Sequence, residues 1–157
     1  MRKTEPLPCI FFRELVEFCH VAQGSKIIIA VSGGPDSMAL LHLLADVRMR
    51  LELGLTAVWV DHALRPQETP AEERTVLAAA KELKVDYVRH RVDAASYVRR
   101  QGLSLEHAAR DLRYAALRST ARERGAEHIA VAHTADDQAE EILLRLLRGS
   151  GRGGIAG

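Results

Sequence analysis

Apolar and polar positions alternate in blocks along this chain, and the period changes from block to block. Residues 9–23, CIFFRELVEFCHVAQ, bring Ile10, Leu15, Phe18 and Val21 toward one face at helical spacing, and Gly24 stops the run. KIIIAVS (26–32) is short, apolar and β-branched, which predicts a buried strand. Residues 36–50 are apolar around most of a helical circumference, which predicts a well-buried helix. LTAVWV (55–60) predicts a second strand, 71–83 a helix, and the alternating VDYVRHRV (85–92) a third strand. A short helix over 94–101 ends at Gly102. Ser104 is placed to cap a longer helix over 105–124, which Gly125 terminates. Its apolar face is mostly alanine (Ala108, Ala109, Leu112, Ala115, Ala116), small enough to pack close to a sheet. HIAVA (128–132) predicts a fourth strand. Residues 135–148 predict another helix, with Ala139, Ile142, Leu143, Leu146 and Leu147 facing inward. Strands alternating with helices predict an α/β fold: an open, mostly parallel sheet with helices on both faces. No repeat or composition break divides residues 1–157, so they read as one domain or part of one.

Composition narrows the partners only a little. The chain of 157 residues is 47% hydrophobic and 27% charged, ordinary for a globular protein. Its net charge of +1 exerts no global pull toward nucleic acid or membrane. The cations are lopsided, 18 Arg to 4 Lys. Arginine favours bidentate phosphate contacts, although genome composition produces the same bias. Cys9 and Cys19 form no C-x-x-C pair, which argues against a disulfide framework or a zinc site. No apolar run reaches the roughly 18 residues of a membrane span. The start, MRKTEPLPC, lacks the apolar core of a secretory signal. A cytoplasmic location without a membrane partner is expected.

Four motifs carry chemistry. The first, Ser32-Gly33-Gly34-Pro35-Asp36-Ser37, follows a strand and opens a helix. Glycines let backbone approach an anion, Pro35 suits the first helical turn, and the helix N-terminus favours phosphate. The pattern has no lysine where a nucleotide P-loop carries one, and it is not G-x-G-x-x-G. It adds a carboxylate, Asp36, to an anion cradle, a combination that needs a cation; Mg²⁺ on a polyphosphate is the natural one. A plain strand–helix turn would also use Pro35 and Asp36. The second motif, Asp61-His62 with Leu64-Arg65, follows strand two. It reads as a simple strand-end turn by itself, but it lies at the edge where open α/β sheets bind ligands. The third is His133-Thr134-Ala135-Asp136-Asp137-Gln138-Ala139-Glu140-Glu141, after strand four. Asp136 and Glu140 share a helical face, as do Asp137 and Glu141. Favourable placement in a first turn and a Glu141–Arg145 pair account for part of this acidity but not for a histidine with three acids at the ligand edge. The fourth is the pair Arg110 and Arg113, three apart within EHAARDLRY; exposed, solvated arginines are the competing reading. Arg118, Arg122 and Arg124 belong to a solvated face, and His20, His42, His90 and His128 to surface or packing. An anion loop, carboxylates, a histidine and arginine suit a nucleoside triphosphate with a metal ion, whereas no serine or cysteine is visibly paired with a base.

SGGPDS resembles the PP-loop, S-G-G-x-D-S, of the N-type ATP pyrophosphatases, which cleave ATP between the α- and β-phosphates. With it, VDHALRP, EHAARDLRYAAL and AHTADDQAEEILLRLLRGSGRGGIAG are similar, in this order, to segments of the tRNA(Ile)-lysidine synthases. The resemblance implies a Rossmann-like fold of the adenine nucleotide alpha hydrolase type, ending here after the fourth strand and before a fifth. It implies that residues 1–157 form the N-terminal ATP-binding part, with the tRNA-binding domains absent. The implied reaction adenylates the C2 oxygen of the wobble cytidine of an isoleucine tRNA, and the amine of lysine then displaces AMP. ATP and Mg²⁺ are the implied cofactors. The implied partners are tRNA(Ile) with a CAU anticodon and free L-lysine; the oligomeric state stays open, a dimer among the options.

Residue by residue, the resemblance makes Ser32, Gly33, Gly34, Pro35, Asp36 and Ser37 the pyrophosphate loop, with Asp36 a metal ligand. Ala30 and the Trp59–His62 segment, with Asp61 and His62, border the adenosine. Arg113 holds phosphate or the adenylate. His133, Asp136 and Asp137 fall at catalytic positions, Asp136 also as a metal ligand, and Glu140 faces the lysine ammonium. The acidic motif departs from the family at Glu140-Glu141, where Glu-Thr is commoner. Two alternatives remain from the residues: a PP-loop enzyme with another substrate, such as a tRNA thiolase or a small-molecule synthetase, and a nucleotide-binding piece inactive alone. The absence of C-x-x-C argues against the thiolases.

Overall fold

The computed structural model describes residues 5–63, 69–102 and 104–133. Their elements run α1 (Leu7–Glu17), β1 (Lys26–Val31), α2 (Pro35–Leu51), β2 (Gly54–Asp61), α3 (Thr69–Glu82), β3 (Asp86–Arg91), α4 (Ala94–Gln101), α5 (Leu105–Arg124) and β4 (His128–Ala130). The helix expected over 135–148 lies outside the described residues, as do Leu64, Arg65 and the glycine-rich end.

The four strands form one sheet in the order β3-β2-β1-β4, and every pairing is parallel. β1 and β2 are buried along almost their whole length. That is why they read as continuous apolar runs: a parallel strand between two helical layers has no wet face. Ile27, Ile29 and Val31 of β1 pair in register with Leu55, Ala57 and Trp59 of β2. These residues pack on Leu41, Leu44 and Val47 of α2 and on Val76 and Ala80 of α3. The alternate residues, Ile28 and Val58, face Leu117 and Ala121 of α5. A crossover of fixed hand puts a helix on one face when the chain moves one way along the sheet and on the other face when it reverses. The chain runs from β1 out to β3 and then back past β1 to β4, so α2 and α3 cover one face and α5 the other. The reversal lies between β1 and β4.

Several helix expectations need correction. α1 stops at Glu17, not at residue 23: Cys19 N–H bonds Glu14 O, Val21 N–H bonds Leu15 O, and His20 takes φ +52°. Val21 is still buried, delivered by this turn, whereas Phe18 is left exposed. α2 buries one stripe (Ser37, Leu41, Leu44, Val47, Leu51), and Met49 on its outer side is 78% exposed. On α5, Ala108 and Ala116 are buried as expected, joined by Leu117, Thr120 and Ala121, while Ala115 is exposed and Ala109 and Leu112 are half-buried. The Ser104 cap is present, accepting from His107 N–H, and Gly125 ends the helix at φ +61°. His90 serves packing: its Nε2 lies 2.7 Å from the buried Thr120 hydroxyl and ties β3 to α5.

Candidate functional site

β1 ends at Val31, and the chain turns through Ser32, Gly33 and Gly34 into α2. Gly34 is the N-cap and Pro35 the first helical residue, so the missing proline N–H costs no helical bond. Ser37, at the third helical position, is 7% exposed. Its Oγ donates to Gly34 O at 2.9 Å, accepts from Ser32 N–H at 3.1 Å and lies 3.2 Å from Ser32 Oγ. Ser32 Oγ in turn accepts from Gly34 N–H at 3.4 Å. The first-turn amides of Asp36 and Ser37 have no intrahelical acceptor, as at any helix start. Gly33 has φ +87°, and a Cβ placed there would sit 3.4 Å from Glu72 Cβ and 3.5 Å from Glu72 O. Glycine is needed for the backbone angle, and the first turn of α3 fits against it.

A cleft of ≈ 530 Å³ opens beyond the C-terminal ends of β1, β2 and β4, beside the point where strand order reverses. Of the residues singled out from sequence, Ala30, Ser32, Gly34, Ser37, Asp61, His62, Arg113 and His133 line it together. Gly33, Pro35 and Asp36 do not; they form the outer part of the loop, and Asp36 is exposed. Asp136, Asp137 and Glu140 lie outside the described residues. Among the described residues no group of three or more His, Cys, Asp or Glu converges as a metal cage. Exposed carboxylates beside an anion loop, Asp36 on α2 and Glu72 on α3, instead suit Mg²⁺ that arrives on a polyphosphate, because that ion takes few protein ligands and relies on phosphate oxygens.

Asp61 is buried and committed to structure. Its Oδ1 accepts from Ala63 N–H at 2.8 Å, and its Oδ2 lies 3.2 Å from Arg89 Nη2. Arg89 also pairs with Glu73 at 3.2 Å and sits over the Trp59 ring. Glu73 accepts from the Tyr87 hydroxyl, whose pKa is pushed up to about 12, first by burial and then by that carboxylate. Asp61 therefore shapes the turn that carries His62. The His62 ring has a buried Nδ1 without a hydrogen-bond partner among the described residues. Burial first, then the Arg113 cation, hold His62 below the usual imidazole range, with Asp61 opposing them. Arg113 is half-buried on α5 and has no carboxylate partner among the described residues; burial lowers its pKa, Tyr114 opposes this and Arg110 adds to it. Arg110 lies 5.5 Å from the centre of the Tyr114 ring, so the two arginines expected to act alike sit in different surroundings. Glu72 and Tyr114 line the cleft and were not anticipated. Glu72 is one of several acids near the start of α3, and only its place in the first turn after strand two hinted at the cleft.

The PP-loop domain matches residues 9–157. The chain belongs to the PP-loop domain family. Among curated relatives, this PP-loop chain is 36% identical over 148 residues to the tRNA(Ile)-lysidine synthase of Clostridium tetani, covering 94% of this chain and 32% of that protein. It is 42% identical over 161 residues to the tRNA(Ile)-lysidine synthase of Chlorobaculum tepidum, covering 100% of this chain and 46% of that protein. The PP-loop chain thus spans less than half the length of each. Among solved structures, it is similar to the U34-tRNA thiolase NcsA of Methanococcus maripaludis, with TM-score 0.75 and 16% identity over 93% of this chain and 50% of that one. It is also similar to an NH3-dependent NAD synthetase of Campylobacter jejuni, with TM-score 0.58 and 14% identity over 95% of this chain and 87% of that one. At these identities the likeness is one of fold: the open parallel sheet of the PP-loop domain.

Proposed function

We propose that this chain is the ATP-binding part of a cytoplasmic tRNA(Ile)-lysidine synthase. The observation that carries the reading is the meeting, in one cleft at the strand-order reversal, of the Ser32–Ser37 loop with Arg113 and His133. In this reading the first-turn amides of Asp36 and Ser37 and the hydroxyl of Ser32 hold the β- and γ-phosphates. These become pyrophosphate, the leaving group, so no lysine is required to follow a transferred γ-phosphoryl. Ala30 and His62 border the adenosine. Arg113 reaches the α-phosphate, where charge develops as the cytidine oxygen attacks. Magnesium, when bound, neutralises the polyphosphate, with Asp36 and Asp136 as its protein ligands. His133 and Asp137 serve the chemistry, and Glu140 pairs with the lysine ammonium. The bonds balance: C2–O attacks the α-phosphorus and releases pyrophosphate, and the lysine amine then forms C2–N and releases AMP.

The test is incorporation of labelled L-lysine into tRNA(Ile) bearing a CAU anticodon, followed together with pyrophosphate release. Pyrophosphate release that requires ATP, Mg²⁺ and this tRNA, with lysine needed for its incorporation and for AMP release, is the expected result. Release that requires a sulfur donor and ignores lysine would instead establish a thiolase.

A further inference from the structure

We infer that Glu72 makes the anion loop selective for polyphosphate that carries Mg²⁺, by opposing the bare anion. The inference rests on the PP-loop reading of the cleft and gives a task to a residue outside the motifs named from the sequence. Glu72 stands in the first turn of α3 and lines the cleft. Its Cβ and carbonyl oxygen lie 3.4 and 3.5 Å from the point where a Cβ on Gly33 would sit, so the bare glycine lets α3 bring this acid against the loop. Glu72 is exposed and has no hydrogen-bond or ion-pair partner among the described residues. Its neighbour Glu73 is engaged elsewhere, with the Tyr87 hydroxyl and with Arg89. The two adjacent acids are thus divided: one closes the packing against β3, and the other keeps its charge beside the loop.

The charges around the loop make that placement selective. Asp36 is exposed as well, and the loop contains no lysine. Among the described residues lining the cleft, Arg113 is the one arginine, and it stands on α5, across the sheet from α3. A bare pyrophosphate group on the loop amides therefore meets carboxylates of its own sign, in a cleft where water screens them less than in bulk. With Mg²⁺ on the phosphates the same carboxylates attract. A first-turn acid also favours its own helix dipole, but that effect acts on stability and is indifferent to the metal.

The experiment is calorimetric titration of the 157-residue chain with inorganic pyrophosphate, once with Mg²⁺ and once with a chelator. The readout is the factor by which Mg²⁺ tightens binding. Glu72→Gln is expected to bind metal-free pyrophosphate at least threefold more tightly than the parent and to cut the Mg²⁺ factor at least fivefold. Glu72→Asp, which keeps the charge, should hold the factor within about twofold of the parent. So should Glu73→Gln, which removes a charge engaged away from the loop. Glu72→Lys should bind the metal-free anion at least tenfold more tightly. The inference is overturned if Glu72→Gln leaves the factor as in the parent. It is equally overturned if Glu73→Gln lowers the factor as much, which marks net charge alone, or if Glu72→Asp does, which marks packing. Should Glu72→Gln not fold, Glu72→Lys decides: metal-free binding no tighter than the parent's sinks the inference, and tenfold tighter binding supports it. A parent that binds pyrophosphate in neither condition refutes the phosphate reading of the loop and the inference with it. A parent that binds it, with the factor unmoved in Glu72→Gln, removes the inference alone.

Discussion

Arg113 is a half-buried guanidinium with no carboxylate partner among the described residues. A desolvated cation without a counter-ion costs stability in the free protein and gains most from an incoming anion. Arg113→Met should therefore raise the melting temperature of the free chain by about 1–3 °C. The same change should weaken MgATP binding at least tenfold, and calorimetry beside a thermal scan reads both. A variant that loses stability and binds normally would place Arg113 in packing alone. His62 makes a related prediction about pH. Its folded pKa lies below the free value of 6.5, so the unfolded chain binds the extra proton first. Stability from neutral His62 is complete above the free value and is lost as pH falls through it toward the folded one. Urea midpoints measured from about pH 8 down to about pH 5 should fall more for the parent than for His62→Phe; parallel curves would refute the link. Neither property was legible in the sequence. Arg113 and His62 could be named as candidates, but their coupling needs α5 and the end of β2 to meet at the cleft.

At the scale of elements, the strands were the most legible part because β1 and β2 are buried on both faces, and their composition reports that directly. Helix ends were less legible. The end of α1 depends on where Val21 must be buried, and the one-sided burial of α2 depends on which layer it joins. Asp61 is the clearest case. By itself it read as a strand-end turn, its edge position and the resemblance put it beside the adenosine, and β3 adds the structural anchor through Arg89 that the sequence did not show. Arg89→Met should leave the buried Asp61 carboxylate with one backbone donor and the more distant Arg91, whose Nε lies 3.9 Å from Oδ2. Because the arginine side chain is itself 44% exposed, the cost should be modest, about 1–2 kcal/mol by urea unfolding. An effect below ~0.3 kcal/mol would mean the pair is incidental. Gly33→Ala acts on another junction, the loop against α3. A left-handed alanine costs about 1–2 kcal/mol, and the added methyl meets Glu72 at contact distance. Loss of MgATP binding should therefore accompany the destabilisation.

For the whole molecule, the reversal of strand order places the cleft across both faces of the sheet. The loop of Ser32 and Gly34 belongs to the α2 side, and Ala30, Val58 and Val60 look toward α5, where Ala109, Tyr114 and Leu117 complete an apolar slot. Such a slot suits the flat base of a nucleotide, with the polyphosphate directed to the loop. The alternation of strands and helices made the sheet legible, and with it the edge at which ligands bind. It left open which alanines of α5 pack against the core and which leave room, because a small residue looks the same in either role. Ala108 is fully buried, while Ala109 is half-buried and lines the slot. Ala109→Leu should fill the slot without disturbing the core, so MgATP affinity should fall at least tenfold while inorganic pyrophosphate binds as in the parent. Ala108→Leu, pressed into a packed layer, should destabilise the fold by about 1–3 kcal/mol. Equal loss of pyrophosphate and MgATP in Ala109→Leu would show that base and phosphate do not occupy separate wings of the cleft.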